Sequence, residues 1–114
     1  MQKTLTLLRT SPIFKNFQVL ELNTGPDYFH IKVRAILKDN SLLFIKEFIS
    51  SDDLKYSYHW QSSENELISR WDNAEHHPEI RSFPHHKHSP DLEESFFVDL
   101  EAVLNEIGKI IDQP

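Results

Sequence analysis

YFHIKVRAILK, residues 28–38, is the stretch of sequence that decides the fold. Apolar residues alternate with polar or basic residues along it, which is the period of a β-strand with one buried face. The polar positions include His30, Lys32 and Arg34, so the outer face of this strand is expected to be basic. The chain is therefore expected to build its core on one side of an antiparallel sheet.

The residues that follow this strand predict a β-hairpin. Asp39-Asn40 is typical of a two-residue type I′ turn, and residues 42–49 form the return strand. With this turn, Lys32 lies opposite Glu47, and the two are expected to form a cross-strand ion pair.

The flanking sequence adds strands and helices at both ends. Further strands are predicted at residues 17–23, 54–61 and 66–72, and a short helix is predicted at residues 3–10. Asp99 is a natural N-cap for an amphipathic C-terminal helix, although a start at Ser89-Pro90 is also compatible with the pattern. The expected fold is one α+β domain over residues 1–114: an antiparallel meander of about five strands, a short N-terminal helix and a C-terminal amphipathic helix.

Composition excludes several classes of protein. The 114 residues suit one domain, and 39% apolar with 26% charged residues is typical of a folded protein. The absence of cysteine excludes disulfides and thiolate chemistry and fits a reducing cytoplasm. No apolar run approaches the roughly 20 residues that cross a bilayer, and we do not expect a signal peptide. The expected location is the cytoplasm, without a membrane partner.

The formal net charge of −6 is unevenly distributed. Residues 1–50 carry a balance of +3, residues 51–90 carry −3 and residues 91–114 carry −6. The acidity is mostly a property of the C-terminal segment, so it does not exclude contact between nucleic acid and the basic strand.

The histidines are clustered as well, since six of the seven lie in residues 59–88. Residues 73–90 contain three prolines and show no regular period, which predicts a long connecting segment. Segments of such length inside small domains are usually functional or disordered, and the aromatic residue and histidines in this one favour function.

Four motifs occur between residues 55 and 88: KYSYHWQ at 55–61, RWDNA at 70–74, HHPE at 76–79 and FPHHKH at 83–88. In this order they resemble the motifs of the TumE family of small prokaryotic toxins. The flanking strand and helix pattern is also similar, so the resemblance spans most of the chain. It implies a cytoplasmic toxin that a cognate antitoxin protein, encoded by the neighbouring gene, neutralises.

The residue types favour metal-independent cleavage of RNA, with no cofactor. Such a reaction needs a general base, a general acid and a cation that stabilises charge on the phosphate. The candidate catalytic residues are His59, His86, His88, Arg70 and Lys87, with Arg70 and Lys87 holding phosphate. The candidate substrate-binding residues are Tyr56, Tyr58, His76, His77, Arg81 and His85.

Two other functions remain open. A metal-dependent nuclease or other hydrolase would use a His-rich site, drawing on His76-His77, His85-x-x-His88 and Asp72, that suits zinc or manganese. A non-catalytic protein-binding module would use the histidines for a partner or as a structural clasp.

The partner surface and the role of the tyrosines are open too. Tyr56 and Tyr58 also fit the core of the domain. The acidic helix 99–112 and the short N-terminal helix are both candidate antitoxin surfaces. A homo-oligomer is compatible with the sequence.

Overall fold

The computed structural model describes residues 3–73, 85–88, 92–94 and 99–112. They form a seven-stranded antiparallel sheet, in which each strand pairs with its neighbours in sequence, and two helices. The elements are α1 (Lys3–Thr10), β1 (Phe14–Gly25), β2 (Tyr28–Leu37), β3 (Leu42–Ser50), β4 (Leu54–Gln61), β5 (Leu67–Asp72), β6 (His86–His88), β7 (Leu92–Glu94) and α2 (Leu100–Ile111). The expected α+β meander with a helix at each end is confirmed.

The C-terminal helix begins where its N-cap predicts. The Asp99 side chain accepts a hydrogen bond from the backbone N–H of Ala102 at 2.9 Å. The alternative start at Ser89-Pro90 is wrong, because β7 lies between that dipeptide and α2. β6 and β7 were not expected, since strands of three residues are too short to show a period.

Both helices pack on one face of the sheet, which we call the helix face. The alternating residues of β2 are fully buried there, as their pattern predicts. The core consists of Leu8, Ile13, Phe29, Ile31, Val33, Ala35, Leu37, Leu43, Ile45, Tyr56, Tyr58, Trp60, Trp71, Leu100, Val103, Leu104 and Ile107. Of the helices in the described residues, none packs on the opposite side of the sheet, which we call the open face.

The β2–β3 hairpin differs from the prediction because its loop has three residues rather than two. The Leu37 N–H donates to the Ser41 carbonyl at 2.9 Å, and the Asn40 N–H donates to the Leu37 carbonyl at 2.8 Å. Asn40 has a φ of 71°, the left-handed conformation that follows a type I turn in three-residue hairpins. The predicted type I′ turn at Asp39-Asn40 is therefore wrong.

The longer loop shifts the strand register by one residue. Lys32 pairs with Lys46, and Glu47 pairs with Ile31, so the predicted ion pair between Lys32 and Glu47 is wrong. A shift of one residue moves a side chain to the other face of a sheet. Glu47 consequently lies on the helix face and is 6% exposed.

The buried Glu47 carboxylate ties a helix to two strands. It accepts a hydrogen bond from the Thr4 hydroxyl of α1 and another from the Tyr58 hydroxyl of β4. Burial raises the pKa of Tyr58, and the neighbouring Glu47 carboxylate raises it further, so the phenol remains a donor. Two directed bonds thus satisfy an acidic group that the core would otherwise exclude.

The first strand forms one edge of the sheet and is exposed along nearly its whole length. Phe17, Val19 and Leu22 pair with buried β2 residues on the helix face, yet each is more than a third exposed. Among the described residues, no helix is long and apolar enough to cross a membrane.

Candidate functional site

The open face carries a row of residues that are neighbours across four adjacent strands. Phe44 of β3 pairs with His59 of β4, His59 pairs with Arg70 of β5, and Arg70 pairs with His88 of β6. We call these four residues the histidine row. Since neighbouring strands lie about 4.8 Å apart, the backbones of His59 and His88 are roughly 10 Å apart with Arg70 between them.

Directed hydrogen bonds hold His59 in one tautomer. The Gln61 amide donates from Nε2 to Asn65 Oδ1 at 3.0 Å, which turns Gln61 Oε1 toward His59 Nε2 at 2.9 Å. Arg70 Nη1 lies 3.2 Å from His59 Nδ1. A guanidinium only donates, so Nδ1 is the acceptor and Nε2 carries the proton that Gln61 accepts.

The guanidinium of Arg70 is itself held from the other side. Its Nε donates to Asp72 Oδ2 at 2.9 Å, and Asp72 is 4% exposed whereas Arg70 is only half-buried. The buried carboxylate therefore orients a cation whose outer nitrogens face the groove.

The environment of His59 favours its neutral form. Burial lowers the pKa of His59, the bond to Gln61 raises it, and the positive charge of Arg70 lowers it, for a net decrease. An imidazole that is neutral near pH 7 is able to accept a proton.

Two adjoining depressions on the open face extend the site beyond the histidine row. Lys46, Ser57 and Arg70 line both of them. The larger, of about 640 Å³, also borders Lys55, and the smaller, of about 300 Å³, reaches His59. Together they form a groove whose lining combines cations with two carboxylates and with apolar side chains: Lys32, Lys46, Lys55 and Arg70, then Asp53 and Asp72, then Phe44 and Phe48 among others.

The structure does not bring Lys87 together with Arg70. Lys87 lies on the helix face, where its Nζ is 2.6 Å from Glu106 Oε2 and 5.3 Å from the centre of the Trp71 ring. Strand alternation places the next residue, His88, on the open face. Lys87 therefore fastens β6 to α2, and the prediction that it holds phosphate beside Arg70 does not fit this geometry.

Three of the predicted substrate-binding residues also lie on the helix face. Tyr56 is 4% exposed, and its hydroxyl is 2.8 Å from His85 Nδ1, whose ring stacks on it with centroids 5.8 Å apart. Tyr58 is 2% exposed and donates to Glu47. Their burial agrees with the alternative in which the tyrosines belong to the core.

The remaining predicted residues are placed only in part. The backbone of His86 pairs with Asp72 in the β5–β6 ladder. His76, His77 and Arg81 lie outside the described residues. Among the described residues, no group of three His, Asp or Glu side chains is arranged to hold a metal ion.

Sequence reasoning missed the groups that position His59 and that extend the groove. The one available signal for Gln61 is its place two residues after His59, on the same face of β4. Lys46 was missed because the wrong hairpin register left it without a role. Asn73, at the end of β5, was also missed: its side chain accepts from the Tyr56 N–H at 2.9 Å and donates to the Leu54 carbonyl at 2.6 Å.

Comparison with known proteins supplies a family. The family model described as Toxin TumE matches residues 4–113, which is nearly the whole chain and includes the complete histidine row. No curated protein and no solved structure matches the chain.

Proposed function

The chain belongs to the TumE toxin family and is the toxin component of a toxin–antitoxin system, and we propose that it acts as a metal-independent ribonuclease. The observation that carries the proposal is the order of the histidine row, in which His59 and His88 flank Arg70. A base, a cation and an acid in that order match the three requirements of phosphodiester cleavage.

The reaction is an internal transfer within RNA. The ribose 2′-oxygen attacks the adjacent phosphorus and the bond to the 5′-oxygen breaks, leaving a 2′,3′-cyclic phosphate and a 5′-hydroxyl. His59 Nδ1 takes the proton of the 2′-hydroxyl, and His88 in its protonated form gives a proton to the departing 5′-oxygen. Arg70 stabilises the charge on the phosphate oxygens.

The resting hydrogen bonds suggest how RNA activates the base. Arg70 Nη1 occupies the lone pair of His59 Nδ1 in the free protein. A phosphate is a stronger acceptor for guanidinium than an imidazole nitrogen, so bound RNA draws Nη1 away. The lone pair of Nδ1 then meets the 2′-hydroxyl, while Gln61 keeps the ring in place through Nε2.

Phe44 supplies a surface for a base next to the reacting phosphate. Its ring packs edge-on against His59 with centroids 6.0 Å apart, and it is only half-buried on the open face. Stacking of unpaired bases on aromatic side chains is the usual way in which sheets bind single-stranded RNA. RNA as the substrate would place the toxin in the cytoplasm.

The test is digestion of single-stranded RNA by the purified protein, with and without EDTA. We expect cleavage to persist in EDTA and to fall by about 10²-fold or more in His59→Ala. His30→Ala is the matched control, because His30 lies on β2 near Glu21, away from the histidine row, and should leave the rate unchanged. Thermal unfolding of both variants separates loss of chemistry from loss of fold.

Three outcomes would contradict the proposal. Loss of cleavage in EDTA would favour the metal-dependent hydrolase. A His59→Ala variant that cleaves at the wild-type rate would show that His59 is not the general base. Absence of any cleavage by the folded protein would favour the non-catalytic protein-binding module.

A further inference from the structure

We propose that Lys32, Lys46 and Ser57 form a second phosphate subsite, which binds the neighbouring phosphate of a single-stranded RNA whose reacting phosphate lies at Arg70. The three residues are consecutive neighbours across β2, β3 and β4, on the open face. The inference rests on the proposed function, since it names the substrate class of the same groove.

The first argument is the direct pairing of two lysines. Like charges opposite each other on one face of a sheet destabilise it. Within the part of the chain that the structure describes, Lys32, Lys46 and the nearby Arg34 form no ion pair. An anion bound between the two ammonium groups would offset the repulsion.

The second argument is the contrast with the lysines of the helix face. Lys3 pairs with Glu101, Lys38 with Asp112 and Lys87 with Glu106. The chain has a formal net charge of −6, so carboxylates are abundant. On the open face, Lys55 pairs with Asp53 at 3.7 Å, and Glu21 is opposite Lys32 in the ladder but contacts His30 Nδ1 at 3.8 Å. Lys32, Lys46 and Arg34 are thus exposed cations that form no ion pair among the described residues, which points to an anionic ligand from outside.

The third argument is distance along the strands. Lys46 and Ser57 lie two residues from Phe44 and His59 of the histidine row, which corresponds to about 7 Å along a strand. Successive phosphates of a single strand are separated by a comparable distance. Lys46 and Ser57 also share the lining of both depressions with Arg70, so the two phosphates would lie in one groove.

The subsite holds substrate without touching the reacting atoms. Loss of Lys46 should therefore raise KM for an oligonucleotide and leave kcat nearly unchanged. We specify a single-stranded ligand because stacking on the Phe44 ring requires an unpaired base, and the bases of a duplex are paired.

The experiment measures binding of a single-stranded 2′-O-methyl RNA oligonucleotide, which cannot be cleaved, by fluorescence anisotropy at several salt concentrations. Lys46→Gln should weaken binding by about fivefold and reduce the slope of log K against log salt by about 0.7. Lys109→Gln is the matched control, because Lys109 is an exposed lysine on α2 and its loss removes the same charge. The control should bind like the wild type.

Three results would overturn the subsite. They are equal weakening by Lys46→Gln and Lys109→Gln, preference for the duplex of the same sequence, and no binding of the oligonucleotide at low salt. The last result is expected if an acidic protein segment, rather than RNA, occupies this face. Assay of the wild-type protein on unmodified RNA separates this inference from the proposed function. Oligonucleotide binding that depends on Lys46, in a protein that does not cleave the unmodified RNA, would contradict only the ribonuclease.

Discussion

Lys32 lies directly opposite Lys46 in the ladder between β2 and β3. The sequence pattern favoured Glu47 in that place, which would have neutralised Lys32. The three-residue loop instead turns Glu47 into the core and leaves two lysines facing the groove. One residue in a hairpin loop thus decides both a buried hydrogen-bond network and a cationic surface.

A first prediction concerns the stability cost of this pair. Lys46→Glu replaces a repulsive pair with an attractive one, so it should raise the free energy of unfolding by about 0.2–1 kcal/mol. The same change should weaken RNA binding more than Lys46→Gln does. Urea denaturation and the anisotropy assay measure the two effects, with Lys109→Glu as the control. Destabilisation by Lys46→Glu would show that the lysines do not repel each other in the native state.

A second prediction concerns the buried Glu47. Tyr58→Phe removes one of its two donors and leaves a buried carboxylate short of a bond, which should cost about 1–3 kcal/mol of unfolding free energy. Tyr28→Phe is the control, since Tyr28 is 41% exposed. Adding Glu47→Leu to Tyr58→Phe should recover part of the loss, because the double variant no longer buries a carboxylate that is short of a bond. The recovery stays partial because the buried Thr4 hydroxyl then loses its acceptor. Additive losses in the double variant would contradict the role assigned to this bond.

The fold could be predicted from local patterns, whereas the site depended on register. The alternation of β2 and the N-cap at Asp99 are local signals, and both elements formed where they were expected. The histidine row exists only because three ladders align residues that are far apart in sequence. No local signal sets that alignment.

The placement of Lys87 also depended on strand register. The face on which Lys87 lies is set by how the three residues of β6 pair with β5, and the run HHKH has no alternation of polar and apolar residues that would predict that face. Chemistry assigned by residue type alone therefore grouped Lys87 with Arg70, although the two lie on opposite faces.

A third prediction concerns pH. The pKa of His59 is lowered from 6.5, chiefly by burial and also by Arg70, so the ring should titrate below 6.5 in an NMR titration. The neutral base is present above that midpoint, and kcat/KM should fall as pH falls through it. The contribution of His59 to the free energy of unfolding changes in the same direction as the activity. It is fully present above pH 6.5, the pKa of an unfolded histidine, and it is lost as pH falls toward the lower pKa of the folded protein. Arg70→Gln removes a positive charge beside His59 and should therefore raise the pH midpoint of the His59 titration. A decrease in that midpoint would contradict the contact between Arg70 and His59.

A fourth prediction concerns the cognate antitoxin that the family implies. Glu101, Glu106 and Asp112 of the acidic helix segment already pair with lysines of the same chain. The edge strand β1 instead exposes apolar side chains, among them Val19. We expect Val19→Lys to weaken the complex with the co-expressed antitoxin at least tenfold in calorimetry. Ile110→Lys, at an exposed apolar position of α2, is the control and should leave the affinity for the antitoxin unchanged. Weakening by Ile110→Lys but not by Val19→Lys would place the antitoxin on α2.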